Sequence, residues 1–217
     1  MAFDRDRSER CVVDVLAGLE GDRAVGMGFK LLGEVVATAC RCLPHAEGRV
    51  RLPTPDDPTG HPVHIRVRHP LTGKVALAVV IAADPCSDLA LLAAPAPGTA
   101  PSGSSGTTAS FADLVAELAP ATIEWEPALE GPLFIYTHER RWIDGMGTGS
   151  AFTPRIPSSR PRAGTSGAPV WNTWGRAVGL VGYNDVRCPE AAMCLLADRL
   201  PGWALRRARE AESSPRR

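Results

Sequence analysis

Three short stretches carry residue types that could act together. Gly164-Thr165-Ser166-Gly167 sets a hydroxyl inside a glycine-flanked turn. A serine hydroxyl is a poor nucleophile unless a neighbouring base takes its proton. A tight turn of this kind, allowed by glycine's freedom at positive φ, would aim the N–H groups of Gly164 and Ser166 at a developing oxyanion. Taken alone, the four residues are better read as an ordinary Gly/Ser turn. In the second stretch, Asp84-Pro85-Cys86-Ser87-Asp88 leads into Leu89-Ala90-Leu91-Leu92. A carboxylate at the mouth of so apolar a strand is partly desolvated and needs a partner, whereas Asp84 before Pro85 reads as a turn cap. The third stretch runs from Gly26-Met27-Gly28-Phe29 to Thr38-Ala39-Cys40-Arg41-Cys42. Its arginine carries a permanent charge and no acceptor lone pair, so it can neutralise a carboxylate but cannot remove a proton.

The elements that would hold these residues read mostly as strands. Residues 11–16 are β-branched and apolar, 25–32 carry Gly26 and Gly28, and 35–39 follow across a Gly33-Glu34 turn. Residues 61–69 alternate Val63, Ile65 and Val67 with His64, Arg66 and Arg68, which predicts a strand with one wet face. Residues 74–82 and 89–93 are more continuously apolar and are expected to be buried on both sides. The stretch 95–110 has little that could fill a core and is the best linker in the chain. After it, Ser110 and Asp113 frame a capping-box-like start to a short helix with Phe111, Leu114, Val115 and Leu118 on one face. Further strands are expected at 122–125, 133–137, 141–143, 147–152, 169–172, 176–183 and 193–197. A C-terminal helix is expected from 198, and residues 1–10 read as a polar lead-in. With 21 glycines and 20 prolines in 217 residues, the turn-rich composition favours an all-β architecture of two similar lobes, two small barrels rather than one long sandwich. No sequence repeat links the two halves.

The composition excludes several classes. There are 24 basic and 24 acidic side chains, so no overall basic field speaks for nucleic acid. The longest apolar run, 75–83, is too short to cross a bilayer, and no membrane association is expected. The start mixes both signs of charge and lacks the apolar stretch of an export signal, which points to a cytoplasmic location. Six cysteines, Cys11, Cys40, Cys42, Cys86, Cys188 and Cys194, then read as free and mostly buried thiols. The spacings of Cys40, Cys42, Cys188 and Cys194 do not fit a structural zinc site. No metal and no cofactor are expected.

Jointly, and in the chain order 26–42, 84–92 and 164–167, the three stretches resemble the trypsin-like (chymotrypsin-fold) serine peptidases, particularly intracellular bacterial members with a G-x-G-F strand and a D-L-A-L-L strand. The resemblance runs from about residue 11 nearly to the end. It implies two six-stranded antiparallel β-barrels with a C-terminal α-helix, in one peptidase domain over 1–217. Barrel 1 would span 11–94, a linker and short helix 95–119, barrel 2 120–197, and the helix and tail 198–217. It implies Ser166 as nucleophile, Gly164 and Ser166 as oxyanion-hole donors, and Asp88 as the residue that orients the base.

The match breaks at the base. The family's T-A-A-H-C pattern is Thr38-Ala39-Cys40-Arg41-Cys42 here, so Arg41 stands in the histidine's place. Loss of the base in such a triad lowers turnover by on the order of 10⁶. Two readings stay open: an inactive or strongly impaired homologue that binds a peptide or partner protein, or an active serine endopeptidase using another base or activated by a partner. An Arg41–Asp88 ion pair would replace the usual His–Asp hydrogen bond. His45 is four residues past Arg41 but badly placed to help, and His61, His64, His69 and His138 are expected to be solvated. Cys42 matches the family's cysteine after the histidine, with no cysteine near the upstream strand. Arg160, six residues before Ser166, would lie near the base of a specificity pocket and favour acidic side chains in a bound peptide; a solvated loop arginine is the equal alternative. Oligomeric state is not legible.

Overall fold

A computed structural model describes residues 3–19, 21–43, 63–99, 106–126, 130–182, 191–196, 200 and 202. Twelve strands form two closed antiparallel sheets. The first is β1 (Val12–Leu16), β2 (Ala24–Lys30), β3 (Val36–Ala39), β4 (His64–Arg68), β5 (Val75–Asp84) and β6 (Leu89–Ala93), in the order β1-β2-β3-β6-β5-β4. The second is β7 (Gly131–Tyr136), β8 (Trp142–Thr148), β9 (Ala151–Pro154), β10 (Pro169–Asn172), β11 (Ala177–Val181) and β12 (Ala191–Leu195). Read from β7, its order is β7-β8-β9-β12-β11-β10, the topology of the first sheet repeated. Asp14 and Val15 facing Arg68 and Val67 close the first barrel. In the second, β10 pairs with β7 over three positions and β12 with β9 over two.

Closure removes sheet edges and turns one face of every strand inward. Leu16, Met27, Phe29, Ile65, Leu91 and Leu92 of the first barrel, and Ile135, Phe152, Val170 and Leu180 of the second, are all buried, and consecutive Leu91 and Leu92 show that both faces of the sheet are covered. Between the barrels, α2 (Phe111–Ala116) begins as its sequence indicates. The Ser110 hydroxyl accepts from the Asp113 N–H at 3.1 Å and donates to its carboxylate at 2.6 Å. Phe111, Leu114, Val115 and Leu118 are its buried face.

Five expectations need correction. Residues 1–10 are more than a lead-in: Asp4 caps a five-residue helix, α1 (Arg5–Glu9), that docks on the second barrel. Phe3 stacks on Phe134 (ring centroids 4.6 Å) and meets Trp142 edge-on. Arg5 pairs with Asp144 at 2.9 Å, and Glu9 accepts from the Trp142 indole N–H at 2.7 Å. A helix this short is held by such contacts and not by propensity. The outer face of β4 is not wet. Arg66 is 1% exposed and donates to the Gly21 carbonyl, because the turn after β1 folds over it. His69 is buried as well, its Nδ1 accepting from the N–H groups of Leu71 and Thr72.

Residues 122–125 make a single parallel bridge, Ile123 to Ala177, instead of a strand. The expected strands at 141–143 and 147–152 are redrawn as β8, a turn at Gly149-Ser150, and β9. The cause lies in Ile143, Gly145 and Gly147, which alternate inward along β8. A Cβ on Gly145 would stand 2.4 Å from the Phe152 ring, so this glycine makes room for that ring and does not break the strand. The expected C-terminal helix from 198 lies outside the described residues except at 200 and 202.

Candidate active site

The ladder between β3 and β6 brings the first two site residues together. Ala39 faces Leu89, and the Cys40 N–H extends the ladder to the Asp88 carbonyl at 3.0 Å. The chain then turns through a 3-10 helix, Cys40–Cys42, while Asp88 enters β6 at φ 56°, a left-handed conformation that aspartate tolerates better than most residues. Asp84 caps the preceding turn through the Cys86 N–H at 3.0 Å. Asp88 is gripped twice by Arg41: the backbone N–H donates to Oδ1 at 3.1 Å and the guanidinium Nε to Oδ2 at 2.6 Å. The side chains are 16% and 32% exposed, so the pair is part-buried.

Ser166 comes from the turn before β10. Gly164 and Gly167 have φ of 95° and 84°. The turn is tied by Thr165 N–H to the Arg162 carbonyl, Ala168 N–H to the Thr165 carbonyl, and Gly167 N–H to the Val181 carbonyl, at 2.8–3.0 Å. It is pressed against the first barrel. The Ser166 carbonyl accepts from the Met27 N–H at 2.8 Å and the Cys42 thiol at 3.4 Å. A Cβ on Gly167 would stand 2.0 Å from the Met27 carbonyl oxygen, and one on Gly26 2.2 Å from Cys42 Sγ and 2.8 Å from the Ser166 carbonyl. Only glycine allows this approach.

Asp88, Arg41, Cys42 and Ser166 therefore follow one another along a single seam between the barrels. Among the described residues, no acceptor takes the N–H of Gly164 or Ser166, and no imidazole hydrogen-bonds to Ser166. Burial pushes the thiols of Cys40 and Cys42 up to about 12 and about 11, so neither offers a thiolate near neutrality. Cys11, Cys40, Cys42 and Cys86 are free thiols, Cys86 exposed and the others buried. Arg160 is exposed directly after a 3-10 turn, Pro157–Ser159. His45 and His61 lie outside the described residues. No group of three or more His, Cys, Asp or Glu among the described residues could hold a metal ion, and no described helix is long and apolar enough to cross a membrane.

Two features were missed by reading the sequence. The first is His138, expected to be solvated, whose Nδ1 lies 3.1 Å from the buried Thr165 hydroxyl beside Ser166. The second is Asp14, 1% exposed, which is held by Arg68 of its own barrel (Nη2 at 2.9 Å) and by Arg140 of the other (2.7 and 2.8 Å). Asp14 sits in an apolar run, where an odd charge demands a partner. His138 lies in a charged run, His138-Glu139-Arg140-Arg141, that looks like an ordinary wet turn.

No family model matches the sequence, and no curated protein matches it. Solved structures do. The serine protease of a human pathogenic astrovirus superimposes with a TM-score of 0.51 at 16% identity, over 86% of this chain and 90% of that one. The serine endoprotease from Yersinia pestis gives 0.57 at 17% identity, over 95% of this chain and 65% of that longer one. Two closed six-stranded barrels of one topology, with Ser166 and Asp88 on the seam between them, make this the chymotrypsin-like fold of the trypsin-like serine proteases.

Proposed function

We propose that this chain is a trypsin-like peptidase homologue that keeps Ser166 and Asp88 but lacks a general base, and that binds a peptide or protein segment in the inter-barrel cleft without cutting it. The observation that carries this reading is the 2.6 Å bond from Arg41 Nε to Asp88 Oδ2. In a working triad that carboxylate holds an imidazole whose other nitrogen takes the serine proton. Here a guanidinium fills the place, and it has no lone pair to offer. The Gly164 and Ser166 N–H groups remain as donors for a ligand carbonyl, and Arg160 is the residue proposed to favour acidic side chains.

The test is a pair of assays on the full chain. Hydrolysis of casein and of a panel of peptides containing acidic residues is expected to equal that of Ser166→Ala. Fluorescein-labelled members of the same panel are expected to bind, with affinity for acidic peptides reduced in Arg160→Ala. Cleavage that disappears in Ser166→Ala establishes instead an endopeptidase with another base.

A further inference from the structure

We infer that His138 is the positioning residue of the Gly164–Ser166 turn, fixing through Thr165 the two N–H groups offered to a ligand carbonyl. The inference rests on the cleft-binding reading for its purpose, but its geometry and its test do not require a ligand. His138 sits in the turn between β7 and β8, where Thr137 N–H bonds to the Arg141 carbonyl at 3.0 Å. Its Nδ1 is 3.1 Å from Thr165 Oγ1, and Thr165 is fully buried. The ring also lies against Gly164, since a Cβ there would stand 3.1 Å from His138 Cγ and 3.3 Å from Nδ1. One imidazole thus contacts two consecutive residues, Gly164, which carries one of the two donors, and Thr165, which precedes the other.

The same turn is anchored elsewhere. Glu139 bonds to Arg162, the residue whose carbonyl takes the Thr165 N–H, at 3.1 Å, and to Arg141 at 2.6 Å. Arg140 reaches across to buried Asp14 of the first barrel while holding φ 60°, a left-handed conformation uncommon for arginine. The β7–β8 turn is therefore a strut. One end is fixed on the first barrel at Asp14 and the other on the donor turn at Thr165 and Arg162.

Amide hydrogen exchange at Thr165 and Ala168, the hydrogen-bonded amides of the turn that carries the two donors, read by NMR on the full-length protein without ligand, tests this. His138→Ala and Thr165→Val are expected to speed exchange at both amides roughly three- to tenfold, the worth of one net hydrogen bond. Thr165→Ser, which keeps the hydroxyl, is expected to stay at the unaltered rate, while amides of β10 and β11 serve as the fold control. Unchanged rates in Thr165→Val overturn the inference. So do equal rates in Thr165→Val and Thr165→Ser, since the methyl and not the hydroxyl would then matter. Detection of peptidase activity would defeat the function proposed above and leave these rates, and their interpretation, untouched.

Discussion

Replacing Arg41 by methionine isolates what the guanidinium does for Asp88. The residue 41 backbone N–H still reaches Oδ1 and the unbranched stem is kept, so what Asp88 loses is the 2.6 Å bond to Oδ2. A hydrogen bond to a charged group contributes about 1.5–3 kcal/mol. Stripping one partner from a fully buried pair costs about 3–5 kcal/mol. With side chains 16% and 32% exposed, water can reach both groups, and the lower range applies. Arg41→Met is therefore expected to lose about 1.5–3 kcal/mol. For a chain of this size that is roughly 3–12 °C in melting temperature. Asp88→Asn weakens the same bond from the other side, so the double variant should fall short of the summed losses by about 1–2 kcal/mol. Urea unfolding midpoints of the four proteins at one pH measure this coupling. A coupling within about 0.3 kcal/mol of zero would refute the partnership and make Arg41 a side chain that merely lies near the acid.

Around Asp14 the order of effects is the informative result. Arg68→Met with Arg140→Met leaves a 2%-exposed carboxylate unpaired and is expected to cost about 3–5 kcal/mol in urea unfolding. Asp14→Asn should cost less, because arginines about one-third exposed can turn to water; the reverse order contradicts the clamp. Iodoacetamide at pH 8, followed by peptide mass mapping, should modify exposed Cys86 and spare Cys11, Cys40 and Cys42. Burial lifts the thiols of Cys11 and Cys40 to about 12 and that of Cys42 to about 11; modification of Cys42 as fast as Cys86 speaks against so closed a seam. Burial also lowers the pKa of His69 below 6.5, so on acidification the unfolded chain takes the proton first. Its contribution to stability is complete above about pH 6.5 and is lost as pH falls toward the folded-state value. Urea midpoints between pH 7.5 and 5 should drop in the unaltered protein and drop less in His69→Asn.

Local chemistry was legible where a single element decides it. The Ser110–Asp113 cap, the β10 segment and the apolar runs of β5 and β6 declare themselves through cap residues and burial pattern. Arg41 and Asp88 were legible as a pair through the resemblance alone, which sets Arg41 where a histidine would meet Asp88; the β3–β6 ladder that joins them is not written in either strand. What the sequence hid depends on a distant neighbour. Gly145 looks like a break in the strand until the Phe152 ring is seen to need its space. Arg66 looks wet until the turn at Gly21 covers it. Alternation along a strand states which side chains share a face and not what lies over that face. His138 is the clearest case, since its significance depends on Thr165, 27 residues away.

The most direct measurement is labelling of Ser166 by a fluorophosphonate probe, which reacts only with a serine whose proton is being drawn away. The unaltered chain is expected to remain unlabelled, and Arg41→His, which puts an imidazole beside Asp88, is expected to take the probe at Ser166 alone. Equal labelling of the two proteins would mean that the hydroxyl already has a base, and the claim that Arg41 disarms this site would fall.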